Sequence, residues 1–263
     1  IGAPYADFSP TSVDNGKAYV IFGNATKQFV DIDLLTRVTG RYTGFVLHGV
    51  SDGNNAGMSV SSAGDVNGDG IDDIVLSAPR AALSGTDRPN AGVTYIIYGR
   101  KIGPTDIAFS DVHLSSVEAS STIGFRIIGA AAYEASGIWV GGAGDVNGDG
   151  IGDIIVASPY GSSAEIVNCG VSYVIFGRAG LIQQMDLSGL KSGKSTGFRI
   201  TGKDDSGEYN AIARGAGDVN GDGIDDVMVG FNGYVIYGAN FIDQPSSQPS
   251  GQPSAQPSRQ PSS

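Results

Sequence analysis

The sequence of 263 residues holds one cysteine, Cys169, and two histidines, His48 and His113. A single thiol rules out an internal disulfide framework and a thiolate cage for zinc. Around it, Ile166-Val167-Asn168-Cys169-Gly170 offers no basic neighbour to activate sulfur, so Cys169 reads as a small core or loop residue. The histidines lie in different segments, unaccompanied by a Gly-x-Ser-x-Gly elbow, a zinc-ligand cluster or a phosphate loop. They read as ordinary strand or loop residues, and the chain as a non-enzyme with no catalytic or organic-cofactor residues. No apolar run approaches bilayer-spanning length, and the N-terminus shows no basic stretch leading into an apolar core. A signal peptide or membrane anchor is therefore expected only in segments other than these. Positive charge is scarce: 16 Lys plus Arg stand against 27 Asp plus Glu, a net charge of −11. That field repels a phosphate backbone, and no basic patch relieves it, which argues against nucleic acid as a partner.

Glycine, in contrast, is abundant, with 41 residues, and apolar residues come in short runs, as suits many short strands joined by tight turns. The chain repeats itself. Gly64-Asp65-Val66-Asn67-Gly68-Asp69-Gly70 returns at 144–150 and 217–223, with first aspartates at 65, 145 and 218, that is 80 and 73 residues apart. This period suits a four-stranded blade with long loops. Each copy opens on Gly-Phe (Gly44-Phe45, Gly124-Phe125, Gly197-Phe198) and follows its acidic segment with an apolar run at 74–76, 154–156 or 227–229. These runs have no polar face, so both faces are expected to be buried between neighbouring sheets. A further strand closes each unit at 95–99, 173–177 and 234–238, and Tyr19-Val20-Ile21-Phe22-Gly23 matches it. The expected units are a partial blade at 1–43, blades at 44–123 and 124–196, a shortened blade at 197–243, and a Gln-Pro-Ser tail at 244–263. The tail has proline every fourth residue and no apolar residue larger than Ala255, so it reads as an extended, disordered spacer.

The acidic segments carry the chemistry. Oxygen-bearing side chains at loop positions 1, 3 and 5, glycine at 6, a carbonyl at 7 and aspartate at 9 suit a tightly curled loop around a hard cation, calcium above magnesium. An EF-hand requires Glu at position 12 and a dockerin-like loop requires Asp, each followed by helix. Here position 12 is Leu76, Val156 or Val229, inside an apolar strand. Three such loops in register are hard to explain without a cation, because clustered unpaired carboxylates repel one another. Asp72 and Asp225, at position 8, read as solvent-facing charges, since Gly152 fills that place in the second loop.

The Gly-Phe strand, the acidic loop, the Ala-Pro or Ser-Pro station (Ala3-Pro4, Ala78-Pro79, Ser158-Pro159) and the closing strand together resemble the FG-GAP repeat of integrin α-chain propellers. The resemblance covers 1–243. It implies an all-β β-propeller of four-stranded antiparallel blades and three calcium sites. The ligands it implies are Asp65, Asn67, Asp69, Ile71 through its carbonyl and Asp73; Asp145, Asn147, Asp149, Ile151 and Asp153; and Asp218, Asn220, Asp222, Ile224 and Asp226. The family closes a ring of seven blades, and about three and a half are counted here, so a further segment or another chain is expected to complete it. The expected role is an extracellular or cell-surface module for adhesion or for binding a protein or glycan ligand, with calcium structural. An accessory propeller of a larger secreted or surface hydrolase is the alternative.

Recognition is expected at the loops after the Pro stations, 5–15, 80–91 and 160–169, with Arg80, Arg88, Tyr160 and Glu165 as exposed candidates. The sequon Asn24-Ala25-Thr26 follows a closing strand and marks a glycosylation site if the chain is secreted.

Overall fold

The computed structural model describes residues 1–7, 9, 11–23, 34, 43–82, 87–101, 110–119, 122–190, 196–202, 212–230 and 233–239. The sequon and the Gln-Pro-Ser segment lie outside them. In chain order the elements are β1 (Gly2–Ala3), β2 (Lys17–Ile21), β3 (Gly44–His48), β4 (Val60–Gly64), β5 (Asp73–Ala78), β6 (Val93–Ile97), β7 (Val112–His113), α1 (Leu114–Ala119), β8 (Gly124–Ile128), β9 (Trp139–Gly144), β10 (Asp153–Ser158), β11 (Val171–Ile175), β12 (Met185–Asp186), β13 (Gly197–Thr201), β14 (Ala213–Gly217), β15 (Asp226–Val229) and β16 (Tyr234–Ile236). They form four sheets, β1-β2-β3-β7, β4-β5-β6-β8-β12, β9-β10-β11-β13 and β14-β15-β16. The long strands pair antiparallel, while β7 and β12 add short parallel outer edges to β3 and β8. The fold is all-β and of the propeller kind the sequence pattern indicates.

Sheets and sequence units are out of phase. The Gly-Phe strand that opens each unit is paired as the last long strand of the sheet before it: β3 on β2, β8 on β6, and β13 on β11. Backbone contact explains the glycine. A Cβ on Gly44, Gly124 or Gly197 would sit 1.9, 1.9 or 2.1 Å from the carbonyl oxygen of Val20, Ile96 or Val174. The phenylalanine then meets the aromatic ring that ends the third strand, in the pairs Phe22–Phe45, Tyr98–Phe125 and Phe176–Phe198, with centroids 5.9, 6.1 and 6.0 Å apart.

Cores lie between successive sheets. Phe45, Leu47, Leu76 and Tyr95 fill the first interface, Val75, Ile96, Phe125 and Val156 the second, and Ile155, Val174, Phe176 and Val227 the third. Because Val75 and Leu76 face opposite neighbours, β5 has no solvent face, as its unbroken apolar run requires. Successive sheets come closest along their first strands. A Cβ on Gly142 would lie 3.1 Å from the Ala63 carbonyl oxygen, and one on Gly215 2.8 Å from that of Ala143.

The short helix α1 was not legible as such in the sequence. It seats the buried Leu114 and Val117 under the second sheet, and a 3-10 turn at Leu187–Gly189 seats Leu187 at the equivalent place in the next repeat.

Phe125 is only 2 % exposed within the second interface. Phe125→Ala is expected to lower unfolding free energy by roughly 3–5 kcal/mol, measured by urea denaturation, and a loss below about 1 kcal/mol would show that the outer strand does not anchor its sheet.

Candidate functional site

Each first strand ends in a β-bulge just before its acidic loop. The register skips Ala63, Ala143 and Ala216, and Gly64, Gly144 and Gly217 follow at φ of 73°, 83° and 70°, a region closed to most side chains. The bulge turns the chain out of the sheet into the loop.

Within the first loop, Asp65 accepts the Asp69 amide through Oδ1 at 3.0 Å and the Gly70 amide through Oδ2 at 2.7 Å. Asn67 Oδ1 takes the same Asp69 amide at 2.9 Å, and Asp69 Oδ1 takes the Ile71 amide at 2.9 Å. The other loops reproduce this scheme. Asp145, Asn147 and Asp149 accept the amides of Asp149, Gly150 and Ile151, and Asp218, Asn220 and Asp222 those of Asp222, Gly223 and Ile224, at 2.8–3.1 Å. Positions 1, 3 and 5 are thus drawn together over one short coil of backbone.

Position 9 stands apart, buried at the start of the second strand. Asp73 Oδ2 accepts the Val66 amide at 3.1 Å and Oδ1 the Gly99 amide at 2.8 Å. Asp153 does the same with Val146 and Gly177 at 2.8 and 2.9 Å, and Asp226 with Val219 and Gly238 at 2.9 and 2.9 Å. Burial pushes the Asp73 carboxyl up to about 6, against the pull of its two amides and with Asp69 and Asp65 adding to the push. Burial likewise pushes Asp153 up to about 7. Asp218, at the surface, is held below the usual carboxylate range, chiefly by the Gly223 amide.

Among the described residues, no three acidic, histidine or cysteine side chains are already disposed as a finished metal site. The donor chemistry of each loop does fit a hard divalent cation: three carboxylates and one amide oxygen, with no nitrogen or sulfur ligand. Each oxygen that accepts one amide retains a second lone pair, and the buried aspartate carries charge that a nearby cation would relieve.

Two of the position-8 readings part company. Asp72 is exposed as expected. Asp225 is not a solvent-facing charge: its Oδ2 accepts the Asp145 amide of the middle loop at 2.8 Å. Gly152 leaves the equivalent place without a side chain, so the sequence comparison could not show what Asp225 reaches.

The Pro-station loops join the second strand to the third, at the rim opposite the acidic loops. Arg80, Tyr160 and Glu165 are exposed there. Arg88 is engaged instead, bridging Asp186 through Nη1–Oδ1 at 2.9 Å and Nη2–Oδ2 at 2.5 Å and donating to the Gly129 carbonyl at 2.8 Å. Its partner lies 98 residues away, beyond any local pattern. The same rim exposes Tyr5, Val13, Tyr133 and Val167, each more than 60 % accessible. Tyr133 was missed from the sequence; its signal was a lone aromatic in an Ala-rich connection, where it adopts φ of 62°.

The two histidines, which read from the sequence as ordinary strand or loop residues of different segments, are direct cross-strand partners in β3 and β7, with rings stacked 5.0 Å apart and Asp111 3.8 Å from His48 Nε2. Burial and then His113 hold His48 below its usual pKa. Cys169 is a buried core residue.

Packed antiparallel sheets with an acidic turn between first and second strands define a β-propeller module of repeated blades. FG-GAP repeats are matched at residues 56–97 and 137–175, and the chain is an FG-GAP domain of the integrin α-like kind. It is 28 % identical over 87 % of its length to integrin alpha-PS5 of Drosophila melanogaster and 31 % identical over 71 % to integrin alpha-IIb of Mus musculus. It is also 30 % identical over 61 % to phosphatidylinositol-glycan-specific phospholipase D of Bos taurus. The chain spans 16–19 % of the length of these relatives. No helix among the described residues is long and apolar enough to cross a membrane, which says nothing of β-barrels.

The Arg88 hydrogen bonds, ahead of burial, hold Asp186 down at about 2. A depressed carboxyl stabilises the fold fully above its unfolded value near 4 and loses that contribution as pH falls through the folded value. Because the pair is partly solvated, Asp186→Asn is expected to cost no more than about 1 kcal/mol at pH 6. Urea denaturation should show the gap between variant and parent narrowing as pH drops from about 4 towards 2; a gap independent of pH would exclude the ion pair as its cause.

Proposed function

We propose that the chain is the cation-stabilised propeller of an extracellular or cell-surface protein that binds a protein or glycan ligand, and that it is not itself catalytic. The observation that carries this reading is the same hydrogen-bonded oxygen array built three times, at equivalent turns of successive sheets. Asp65, Asn67, Asp69, the Ile71 carbonyl and Asp73 would hold one calcium ion. Asp145, Asn147, Asp149, Ile151 and Asp153 would hold a second, and Asp218, Asn220, Asp222, Ile224 and Asp226 a third. A bound ion supplies positive charge against three clustered carboxylates and ties the turn to the strand behind it. The role is structural, because every ligand lies within one sheet's own turn and none reaches towards the apolar rim on the far side.

Ligand recognition belongs at that far rim, where Tyr5, Tyr133, Tyr160 and Val167 project from loops held by rigid strands. The integrin relatives favour adhesion. The phospholipase D relative favours a second reading, in which the propeller is an accessory domain of an enzyme whose catalytic part lies in another segment. Hydrolase assay of the whole gene product separates the two.

At millimolar calcium a site of micromolar affinity adds about 4 kcal/mol to stability. Removing calcium with a chelator is therefore expected to lower the thermal midpoint by roughly 10 °C or more. Differential scanning calorimetry with and without EGTA provides the measurement, and an unchanged midpoint would refute a structural cation.

A further inference from the structure

We propose that Asp225 is a positioning residue for the middle acidic loop, supplied from the neighbouring sheet, so that this loop's cation affinity depends on the sheet that follows it. The inference rests on the reading of the loops as calcium sites and adds a residue outside the loop's own ligand set.

The acidic loops are not independent turns. The Gly152 amide of the middle loop donates to the Asp65 carbonyl of the first at 2.9 Å, and the Asp225 amide of the third loop donates to the Asp145 carbonyl of the middle one at 3.0 Å. The chain after each third strand adds to these junctions: Arg178 and Gly180 donate to the Val66 and Asn67 carbonyls at 3.0 and 2.8 Å, and Ala239 donates to the Val146 carbonyl at 3.1 Å. Position 8 of one loop therefore grips position 1 of the loop before it.

At the second junction the grip is doubled. Besides the backbone bond, Asp225 Oδ2 accepts the Asp145 amide at 2.8 Å, so both the N–H and the C=O of the first candidate ligand are held by one residue of the next sheet. Room for this carboxylate comes from Gly144, where a Cβ would lie 2.2 Å from Asp225 Oδ2. At the first junction Gly152 offers no such group, and a Cβ on Gly64 would find only the Gly152 Cα, 4.0 Å away. Fixing the backbone of Asp145 removes freedom that the loop would otherwise lose on closing around an ion, and preorganisation of this kind tightens binding. The carboxylate also adds negative charge beside the same loop.

The test is a calcium titration of the full chain followed by NMR at three reporter amides, Gly70, Gly150 and Gly223, one for each loop. Asp225→Gly, which copies the first junction, is expected to weaken the Gly150 response about tenfold, the effect of losing one charge-assisted hydrogen bond, while Gly70 stays within about twofold of the parent. Asp225→Asn keeps an oxygen acceptor and should lose only about threefold. Asp72→Gly removes a position-8 charge that, among the described residues, makes no side-chain hydrogen bond to another acidic loop, and it should leave all three responses in place. An unchanged Gly150 response in Asp225→Gly, or an equal shift at all three reporters, overturns the proposal. Asp225→Asn no better than Asp225→Gly, or a matching loss at Gly70 in Asp72→Gly, assigns the effect to charge alone and overturns positioning. If no reporter in the parent responds to calcium, the proposed function itself fails.

Discussion

The buried aspartate at loop position 9 is the contact on which each sheet depends. Through two carboxylate oxygens, Asp73 joins three parts of the chain: the acidic turn at the Val66 amide, the second strand from which it projects, and the end of the third strand at the Gly99 amide. Asp153 and Asp226 do the same in the next two sheets. A neutral side chain of similar size could not accept both amides as strongly, since hydrogen bonds to an ionised acceptor are worth about twice those between neutral groups. The cost is a charge held away from water, visible in the raised pKa of Asp73 and Asp153. A cation held at the adjoining turn, as proposed, would lower that cost and so link loop chemistry to sheet stability.

This coupling accounts for the division of labour between the rims. Turns on the acidic side are short and built from backbone bonds to carboxylates, and they vary little among the three copies. On the opposite side the connections differ in length and carry exposed Tyr and Val residues. A scaffold pinned at one end leaves the other free to diverge.

Much of this was legible in the sequence because it is local or periodic. The Asp-x-Asn-x-Asp-Gly spacing set the turn, the apolar runs set strands buried on both faces, and Gly-Phe marked a strand whose glycine meets a carbonyl oxygen. What stayed hidden involved partners far apart in sequence. Nothing near Arg88 announced Asp186, and nothing near His48 announced His113, because β7 and β12 arrive in parallel from the far side of a long connection. Asp225 was misread for a related reason: its function lies in the neighbouring sheet, and the copy with glycine at that position made the side chain look dispensable. The phase of the sheets was hidden too, since periodicity fixes the length of a unit and not where a blade begins.

That phase offset has a consequence for how such a chain can change. Because each sheet borrows its last long strand from the following period, deleting a whole period leaves no frayed sheet: the next Gly-Phe segment takes the vacated place. Ending the chain at a period boundary, between a third strand and the next Gly-Phe segment, leaves that sheet without its own cover. One whole period is therefore the unit that can be added or removed with every sheet still covered, and neighbours are joined like overlapping roof tiles, the cover of each belonging in sequence to the next.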